Sequence, residues 1–185
     1  MDRPIHRVVD LIDEDSQQLF NMEVAEARDL LSSEKATSLK RLSGSFALTA
    51  REGEVVRMAR SLDRPMRYFL AKQESGPLLV VADRIDEIQQ FLEAEGYGDQ
   101  FHPSYTRMVP AHHVTSIRLI GCPDPNPVYR RFLEPSTDSL QADLDLIGEQ
   151  YVGALWQALD TWLRVVPERE PLGVLFSGGL DSGSV

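Results

Sequence analysis

The stretch from Gly44 to Arg60, G-S-F-A-L-T-A-R-E-G-E-V-V-R-M-A-R, is where the apolar pattern of the chain takes on the period of a β-sheet. G-S-F-A-L-T-A is typical of a strand, R-E-G-E of a turn, and V-V-R-M-A-R of a returning strand. A second pair follows, in which Q-E-S-G joins M-R-Y-F-L-A-K to the apolar run P-L-L-V-V-A-D. Two consecutive hairpins with apolar faces predict an antiparallel sheet.

Helical patterns lie on both sides of these hairpins. An apolar-alternating start, Ile5 to Ile12, precedes a polar helical stretch with a loose stripe at Met22, Ala25, Leu30 and Leu31. Residues 84–96 show helical spacing, with Gly96 as the stop signal, and a short strand is expected at about residues 113–119. The longest helical pattern covers residues 138–164, where apolar residues recur every three or four positions at Leu140, Leu144, Ile147, Tyr151, Leu155, Leu159 and Trp162. This amphipathic helix is expected to pack on a neighbour.

Proline-rich breaks divide the chain into four regions. C-P-D-P-N-P predicts an irregular connector before residue 135, and P-E-R-E-P ends the long helix. We therefore predict an N-terminal segment (1–42), a sheet domain (43–135), a linker helix (136–170) and a C-terminal segment (171–185). Strands followed by a helix give an α+β fold class.

Composition excludes several classes of protein. The 185 residues include 19 basic and 29 acidic side chains, for a formal charge of −10. Such a surface would repel a nucleic-acid backbone, so no nucleic-acid partner is expected. The one cysteine, Cys122, cannot form a disulfide or a cysteine zinc site within the chain. No apolar run has the length of a signal peptide core or a membrane span, which predicts a cytoplasmic protein with no membrane partner.

The C-terminal residues combine a buried-strand pattern with a glycine turn. L-G-V-L-F, residues 172–176, runs directly into Ser177-Gly178-Gly179-Leu180-Asp181-Ser182. Two glycines let the backbone turn tightly beside a phosphate, and a helix starting near Asp181 would add its positive end. Asp181 itself is expected to act as a Mg²⁺ ligand or as the helix N-cap. The pattern predicts a phosphate-binding turn.

S-G-G-L-D-S resembles the PP-loop of the ATP pyrophosphatases, which cleave ATP to AMP and pyrophosphate. The resemblance implies that ATP is bound by Phe176, Ser177, Gly178, Gly179, Leu180, Asp181 and Ser182. The motif alone also fits GMP synthetase, argininosuccinate synthetase-like enzymes and tRNA-modifying enzymes.

Residues upstream favour one family. P-L-G-V-L-F-S-G-G-L-D-S after W-L-R-V-V-P resembles the entry into the synthetase domain of asparagine synthetases. G-S-F-A-L, V-V-R-M-A-R, R-P-M-R-Y-F and L-L-V-V-A-D-R-I-D-E-I are similar, in order, to the second half of that family's glutaminase domain. Y-T-R-M-V-P-A-H-H resembles its Leu-Pro-Pro-Gly-His segment. The resemblance runs from about residue 42 to residue 185. It implies a degenerate antiparallel-sheet Ntn-hydrolase-like domain, then a long helix and the first strand and PP-loop of a truncated α/β synthetase domain.

The chain departs from the family where glutamine would be hydrolysed. Family glutaminases expose an N-terminal cysteine, whereas residue 2 here is Asp2, which cannot supply a thiolate. Ser61 stands where the family has the aspartate of Ala-Arg-Asp, and the segments that hold glutamine are absent. We therefore expect no glutaminase activity and assign no catalytic residue. A substrate role for Arg60 follows by analogy alone.

The resemblance implies an ATP-dependent amide-forming ligase. ATP and Mg²⁺ would activate a carboxylate, such as that of aspartate, as an acyl-adenylate, and ammonia or another amine would attack it. Because the family's synthetase residues lie downstream of the PP-loop, we expect this chain to be the N-terminal piece of a longer reading frame and to bind ATP weakly by itself. One alternative is a non-catalytic module that binds a partner or forms a homodimer. Another is a different PP-loop enzyme, such as a tRNA-modifying one.

Three further groups of residues are interpreted as structural. His112 and His113 would point to opposite faces of a strand, so the four scattered histidines favour no metal site. The acidic residues near Asp10 are interpreted as a solvated face. Trp156 and Trp162 are expected to pack the long helix.

Overall fold

The computed structural model describes residues 7–33, 36–73, 77–118, 126–137, 139–166, 171–179 and 183. The chain divides into two compact units, Met1–Thr137 and Asp138–Val185. The fold is mixed α+β with antiparallel sheets, as the alternation of strand and helix patterns predicts.

The described residues of the first unit form two four-stranded sheets and a short two-stranded one. Its strands are β1 Arg7–Asp10, β2 Gln18–Leu19, β3 Gly44–Ser45, β4 Ala47–Glu52, β5 Val55–Arg60, β6 Arg67–Ala71, β7 Leu78–Ala82, β8 Arg107–Met108, β9 His113–Arg118 and β10 Val128–Arg131. The α-helices among its described residues are α1 Val24–Ser32 and α2 Ile85–Ala94. One sheet has the order β10-β9-β5-β4, the other β1-β7-β6-β8, and β2 pairs with β3.

Both predicted hairpins form, but they do not share a sheet. The first, β4–β5, turns at Gly53, whose φ is +56°, and pairs Glu52 with Val55. The second, β6–β7, pairs Arg67 with Ala82 and lies in the other sheet. The predicted antiparallel pairing is confirmed for each hairpin, but the two hairpins lie in separate sheets, and β1 joins β7 in parallel. Since each hairpin is apolar on both faces, stacking the sheets buries more apolar surface than placing the hairpins side by side.

Three apolar clusters hold four layers together. The cluster between the two sheets contains Ile12, Ala47, Val56, Met58, Met66, Tyr68, Leu79, Val81, Val109 and Ile117. Helix α1 covers the outer face of the first sheet, with Leu31 packed in the same cluster as Leu48. Helix α2 covers the outer face of the second, with Ile88 and Leu92 fully buried. The order of layers is helix, sheet, sheet, helix.

Helix α2 confirms the pattern predicted for residues 84–96. It begins after Arg84 and its two buried residues lie one turn apart. Gly96 follows the helix with a φ of +79°, a left-handed conformation that favours glycine and ends the helix.

The second unit contains the long helix α3, Leu144–Leu163. It begins later than the pattern from residue 138 predicts, because the Asp143 carboxylate caps it by accepting the backbone N–H groups of Asp145 at 3.0 Å and Leu146 at 3.3 Å. None of the α3 side chains, all within the described residues, is buried. Trp156 is 66% exposed, so its predicted packing role is not seen in this unit. Among the described residues, no helix is both long and apolar enough to cross a membrane.

The predicted strand at residues 172–176 is wrong. Residues 171–177 have no regular secondary structure, and Leu175 is 96% exposed. A strand is stabilised when its backbone N–H and C=O groups pair with a neighbour, and no strand among the described residues pairs with this segment. The first strand of an α/β synthetase domain is therefore not formed here.

Candidate functional site

The predicted phosphate-binding turn is described in part. Gly178 adopts a φ of +79°, so the backbone reverses at the first of the two glycines. The Gly183 N–H donates to the Gly179 carbonyl at 3.0 Å, which is the i to i+4 bond of a helical turn. Ser177, Gly178 and Gly179 are exposed, as is Phe176. Leu180, Asp181 and Ser182 lie outside the described residues, so their contacts with ATP and Mg²⁺ stay predictions.

The space beside Gly178 is open among the described residues. A Cβ placed on Gly178 would meet no atom within 4 Å. A Cβ on Gly179 would lie 3.6 Å from the Ser177 Oγ, an ordinary contact. Glycine is thus favoured at position 178 by its left-handed backbone rather than by crowding.

Ser61 stabilises the end of the first hairpin. Its Oγ accepts the Phe46 N–H at 3.0 Å and donates to the Asp63 carboxylate at 2.6 Å. Burial acts to raise the pKa of Asp63, but hydrogen bonds from Ser45 and Ser61 outweigh it, so the pKa is lowered. These contacts are structural. Asp2 and Cys122, the residues on which the predicted loss of glutaminase chemistry depends, lie outside the described residues.

The Arg60 guanidinium donates hydrogen bonds to four backbone carbonyls. Its Nε donates to the Val109 carbonyl at 2.6 Å, and its Nη1 donates to the carbonyls of Ser61 at 3.1 Å, Leu62 at 3.1 Å and Arg64 at 2.9 Å. Burial lowers its pKa. The guanidinium thus fixes the loop after β5 against the segment before β9, which leaves little of it for the substrate role expected by analogy.

The adjacent histidines have separate structural contacts. His112 lies one residue before β9 with a φ of +58°, and its ring meets the edge of Phe132 at a centroid distance of 6.0 Å. The His113 Nδ1 lies 2.7 Å from the Ala111 carbonyl oxygen. In the described part of the chain, no three His, Cys, Asp or Glu side chains are grouped so that they could hold a metal ion.

An ion-pair network of Asp10, Glu14 and Arg28 joins β1 and the residues after it to α1. Asp10 is an exposed residue, in agreement with the sequence interpretation of a solvated face, but its side chain is partly covered. Only 28% of the Asp10 side chain is exposed, and Arg28 lies 3.9 Å from it. Burial raises the pKa of Asp10 despite Arg28 and the Ile12 N–H. Arg64 pairs with Asp83, and each side chain is 16% exposed. Periodicity did not indicate these ion pairs, because the members of each pair come from separate segments.

A cavity lies at the β6–β8 edge of the first unit and has a volume of about 730 Å³. Its apolar wall comes from the inner faces of both sheets: Tyr68, Leu70, Leu79 and Ile117. Its polar rim consists of Lys72, Gln100, Ser104, Tyr105 and Arg107. Sequence analysis missed this cavity, since strand stacking creates it and no motif marks it.

These features are distributed over the two units of the chain. The glycine turn belongs to the second unit, whereas the ion-pair network and the cavity belong to the first. Comparisons with protein-family models, with curated proteins and with solved structures found no match for this chain.

Proposed function

We propose that this chain is part of an asparagine synthetase-like, ATP-dependent amide-forming ligase that lacks its own glutaminase nucleophile. A substrate carboxylate attacks the α-phosphate of ATP, pyrophosphate leaves, and an amine displaces AMP from the acyl-adenylate to form the amide. Aspartate with ammonia is the proposed pair, and another amine fits the same chemistry. Ser177, Gly178 and Gly179 would hold the phosphates through backbone N–H groups, and Asp181 would bind Mg²⁺.

The observation that carries the proposal is the backbone of the glycine turn. A left-handed Gly178 and a hydrogen bond from the Gly183 N–H to the Gly179 carbonyl support the proposal, because a tight turn before a helix start can direct backbone N–H groups at a phosphate. The net charge of −10 does not oppose it, because the backbone groups act locally.

The first unit supports the proposal at one further position. When the final histidines of Val109-Pro110-Ala111-His112-His113 and the family's Leu-Pro-Pro-Gly-His segment are aligned, His112 stands where the family has glycine. His112 is the one non-glycine residue with a positive φ among the described residues. A left-handed backbone at a position where relatives carry glycine is consistent with a shared local conformation.

The proposal is tested by carboxylate-dependent exchange of labelled pyrophosphate into ATP, measured on the full-length product of the gene. We expect aspartate or another carboxylate to stimulate exchange. Gly178→Ala should reduce it at least about tenfold, since a left-handed non-glycine residue costs about 1–2 kcal/mol. Gly148→Ala is the matched control, because a Cβ there meets nothing within 4 Å and Gly148 lies within α3.

Two results would contradict the proposal: no exchange with any carboxylate of a broad panel, or equal losses in the two glycine variants. The nitrogen source is tested separately. Ammonia should support product formation, whereas glutamine should neither support it nor release glutamate, because residue 2 is aspartate.

A second candidate is a non-catalytic module that binds a partner protein or forms a homodimer. The observation that favours it is the apolar exposure of the second unit, where Leu144 is 86% exposed and Phe176 71% exposed. Sedimentation of the full-length protein, with and without Leu144→Glu, distinguishes this candidate. A dimer that the glutamate dissociates, together with absent pyrophosphate exchange, would favour the module over the ligase.

A further inference from the structure

We propose that the cavity at the β6–β8 edge binds a small organic anion with an aromatic or other apolar body, of the class of the aromatic carboxylates. The inference does not depend on the proposed ligase activity. Every residue that carries it belongs to Met1–Thr137, and none takes part in the ATP chemistry.

The dimensions of the cavity suit such a ligand. Its volume of about 730 Å³ lies within the range of small-molecule sites, roughly 300–1,000 Å³. Leu70, Leu79 and Ile117 provide an apolar wall from three strands, and Tyr105 stands at the rim with 71% of its surface exposed. An apolar ring in the cavity would therefore be removed from water on one side and contact an aromatic residue on the other.

The charge of the cavity is opposite to that of the protein. Lys72 and Arg107 line it, whereas none of the described residues around it is acidic. Across the chain, by contrast, acidic residues outnumber basic ones by 29 to 19. Within the described residues neither cation forms an ion pair, while seven pairs engage other arginines. Two cations without acidic partners in a cleft favour an anionic ligand.

Tyr68 places a buried hydroxyl at the cavity. The residue is 4% exposed and lines the cavity. Arg107 and Tyr129 lie close enough to the hydroxyl to influence its pKa, but neither meets it with good hydrogen-bond geometry, so an oxygen of the ligand can accept its hydrogen. Burial raises the pKa of Tyr68 to about 12, so the hydroxyl is a hydrogen-bond donor at neutral pH.

Strand register places Arg107 next to this hydroxyl. Tyr68 on β6 is directly opposite Arg107 on β8, and directly opposed residues of an antiparallel pair project to the same face. The planar guanidinium and the phenol can therefore approach the same anion. Two parallel N–H groups match the two oxygens of a carboxylate, which is why the carboxylate is the favoured head group.

The rim is held in place before any ligand arrives. The Gln100 Oε1 accepts the Lys72 backbone N–H at 2.8 Å, and the Gln100 Nε2 donates to the Lys72 carbonyl at 2.9 Å. This two-bond clamp fixes the backbone that carries the Lys72 ammonium. A fixed rim lowers the entropy lost on binding.

The test is isothermal titration of the full-length protein with naphthalene-2-carboxylate and with naphthalene-2-carboxamide, which has the same shape but is neutral and carries an NH2 donor in place of one oxygen. We expect the carboxylate to bind at least about tenfold more tightly, the scale of one charge-assisted contact. Arg107→Gln should remove that preference. Arg84→Gln makes the same change in net charge at the exposed N-cap of α2, outside the cavity, and should leave it intact.

Tyr68→Phe separates binding from folding. It removes the hydroxyl and keeps the ring, so the urea midpoint should stay level or rise while the affinity for the carboxylate falls. Equal affinities for the carboxylate and the amide would overturn the proposal, as would equal losses in Arg107→Gln and Arg84→Gln. Absence of binding to either compound at millimolar concentration would also overturn it. None of these outcomes bears on pyrophosphate exchange, so the two proposals fail independently.

Discussion

The two units of the chain contain similar apolar residues, but these are buried in the first unit and exposed in the second. In the first unit, Leu48 is fully buried beneath α1 within a continuous cluster. In the second, Leu144 is 86% exposed and Trp156 66% exposed, although both lie on a helix with recurrent apolar positions. The difference shows that periodicity identifies which residues share a face. Whether that face is buried depends on a complementary surface.

Helix propensity and capping also give little stability to the helix of the second unit. Helix α3 contains Gly148 and Gly153, each with open space where a Cβ would stand. An interior glycine lowers helix stability by roughly 0.5–1 kcal/mol relative to alanine. The Asp143 cap offsets a similar amount, about 1 kcal/mol. The glycines and the cap therefore nearly cancel, so the stability of α3 depends on the contacts of its apolar residues.

The largest expected effect contrasts one leucine from each unit. Leu48→Ala should lower the free energy of unfolding by about 2–5 kcal/mol, because it leaves a cavity in a closely packed cluster. Leu144→Ala should change it by less than about 0.5 kcal/mol, since the side chain is already in solvent. Urea unfolding followed by circular dichroism measures both. Equal losses would mean that Leu144 is buried in solution and that the contrast between the units is wrong.

The next effect contrasts two glycines. Gly44 has a φ of +125°, and a Cβ there would lie 2.0 Å from the Gln18 carbonyl oxygen on β2. Gly44→Ala should therefore destabilise the first unit by at least about 1–3 kcal/mol, through backbone strain and loss of the β2–β3 pairing. Gly148→Ala should raise the helicity and stability of α3 by roughly 0.5–1 kcal/mol. Thermal unfolding of both variants checks the opposite signs, and destabilisation by Gly148→Ala would show that α3 packs closely at that position.

Local chemistry explains which features could be predicted from the sequence. The hairpin at residues 44–60, helix α2 and its end at Gly96 follow from alternation, turn residues and a stop signal within a few residues of one another. The splitting of the hairpins into two sheets and the parallel β1–β7 pair depend on contacts between distant segments, which no local pattern encodes. The strand predicted at residues 172–176 failed for the same reason, because an apolar run specifies a strand only where a neighbour pairs with it.

The same distinction between local and distant contacts applies to the candidate sites. The glycine turn could be predicted because adjacent glycines in the sequence indicate a tight backbone turn. The positive φ of Gly178 agrees with that prediction. The cavity was missed because Tyr68 and Arg107 are 39 positions apart and become neighbours through strand register. A sequence motif can indicate a site formed by one loop, whereas a site formed by stacked strands can be recognised only in the tertiary structure.

The smallest expected effect concerns charge in the first unit. Burial raises the pKa of Asp10 above its unfolded value, so its protonated form is favoured by folding. That contribution is present below the unfolded pKa, about 3.9, and is lost as the pH rises through the higher folded pKa. At neutral pH the ionised carboxylate therefore opposes folding. Asp10→Asn keeps the side-chain oxygen that accepts the Ile12 N–H at 3.1 Å, while Arg28 retains Glu14.

We accordingly expect Asp10→Asn to leave the protein as stable as the wild type at about pH 7, or more stable by less than about 1 kcal/mol, the scale of partly exposed charges. The two proteins should converge as the pH falls towards the unfolded pKa, because the wild-type carboxyl then becomes neutral as well. Urea midpoints measured across that range test the sign. Asp160→Asn, in the exposed Arg164–Asp160 pair of α3, is the matched control and should show little change at any pH. A loss of stability in Asp10→Asn that is largest at neutral pH would mean that the Arg28 ion pair outweighs burial, and that the first unit is held together by this charge network as well as by its apolar clusters.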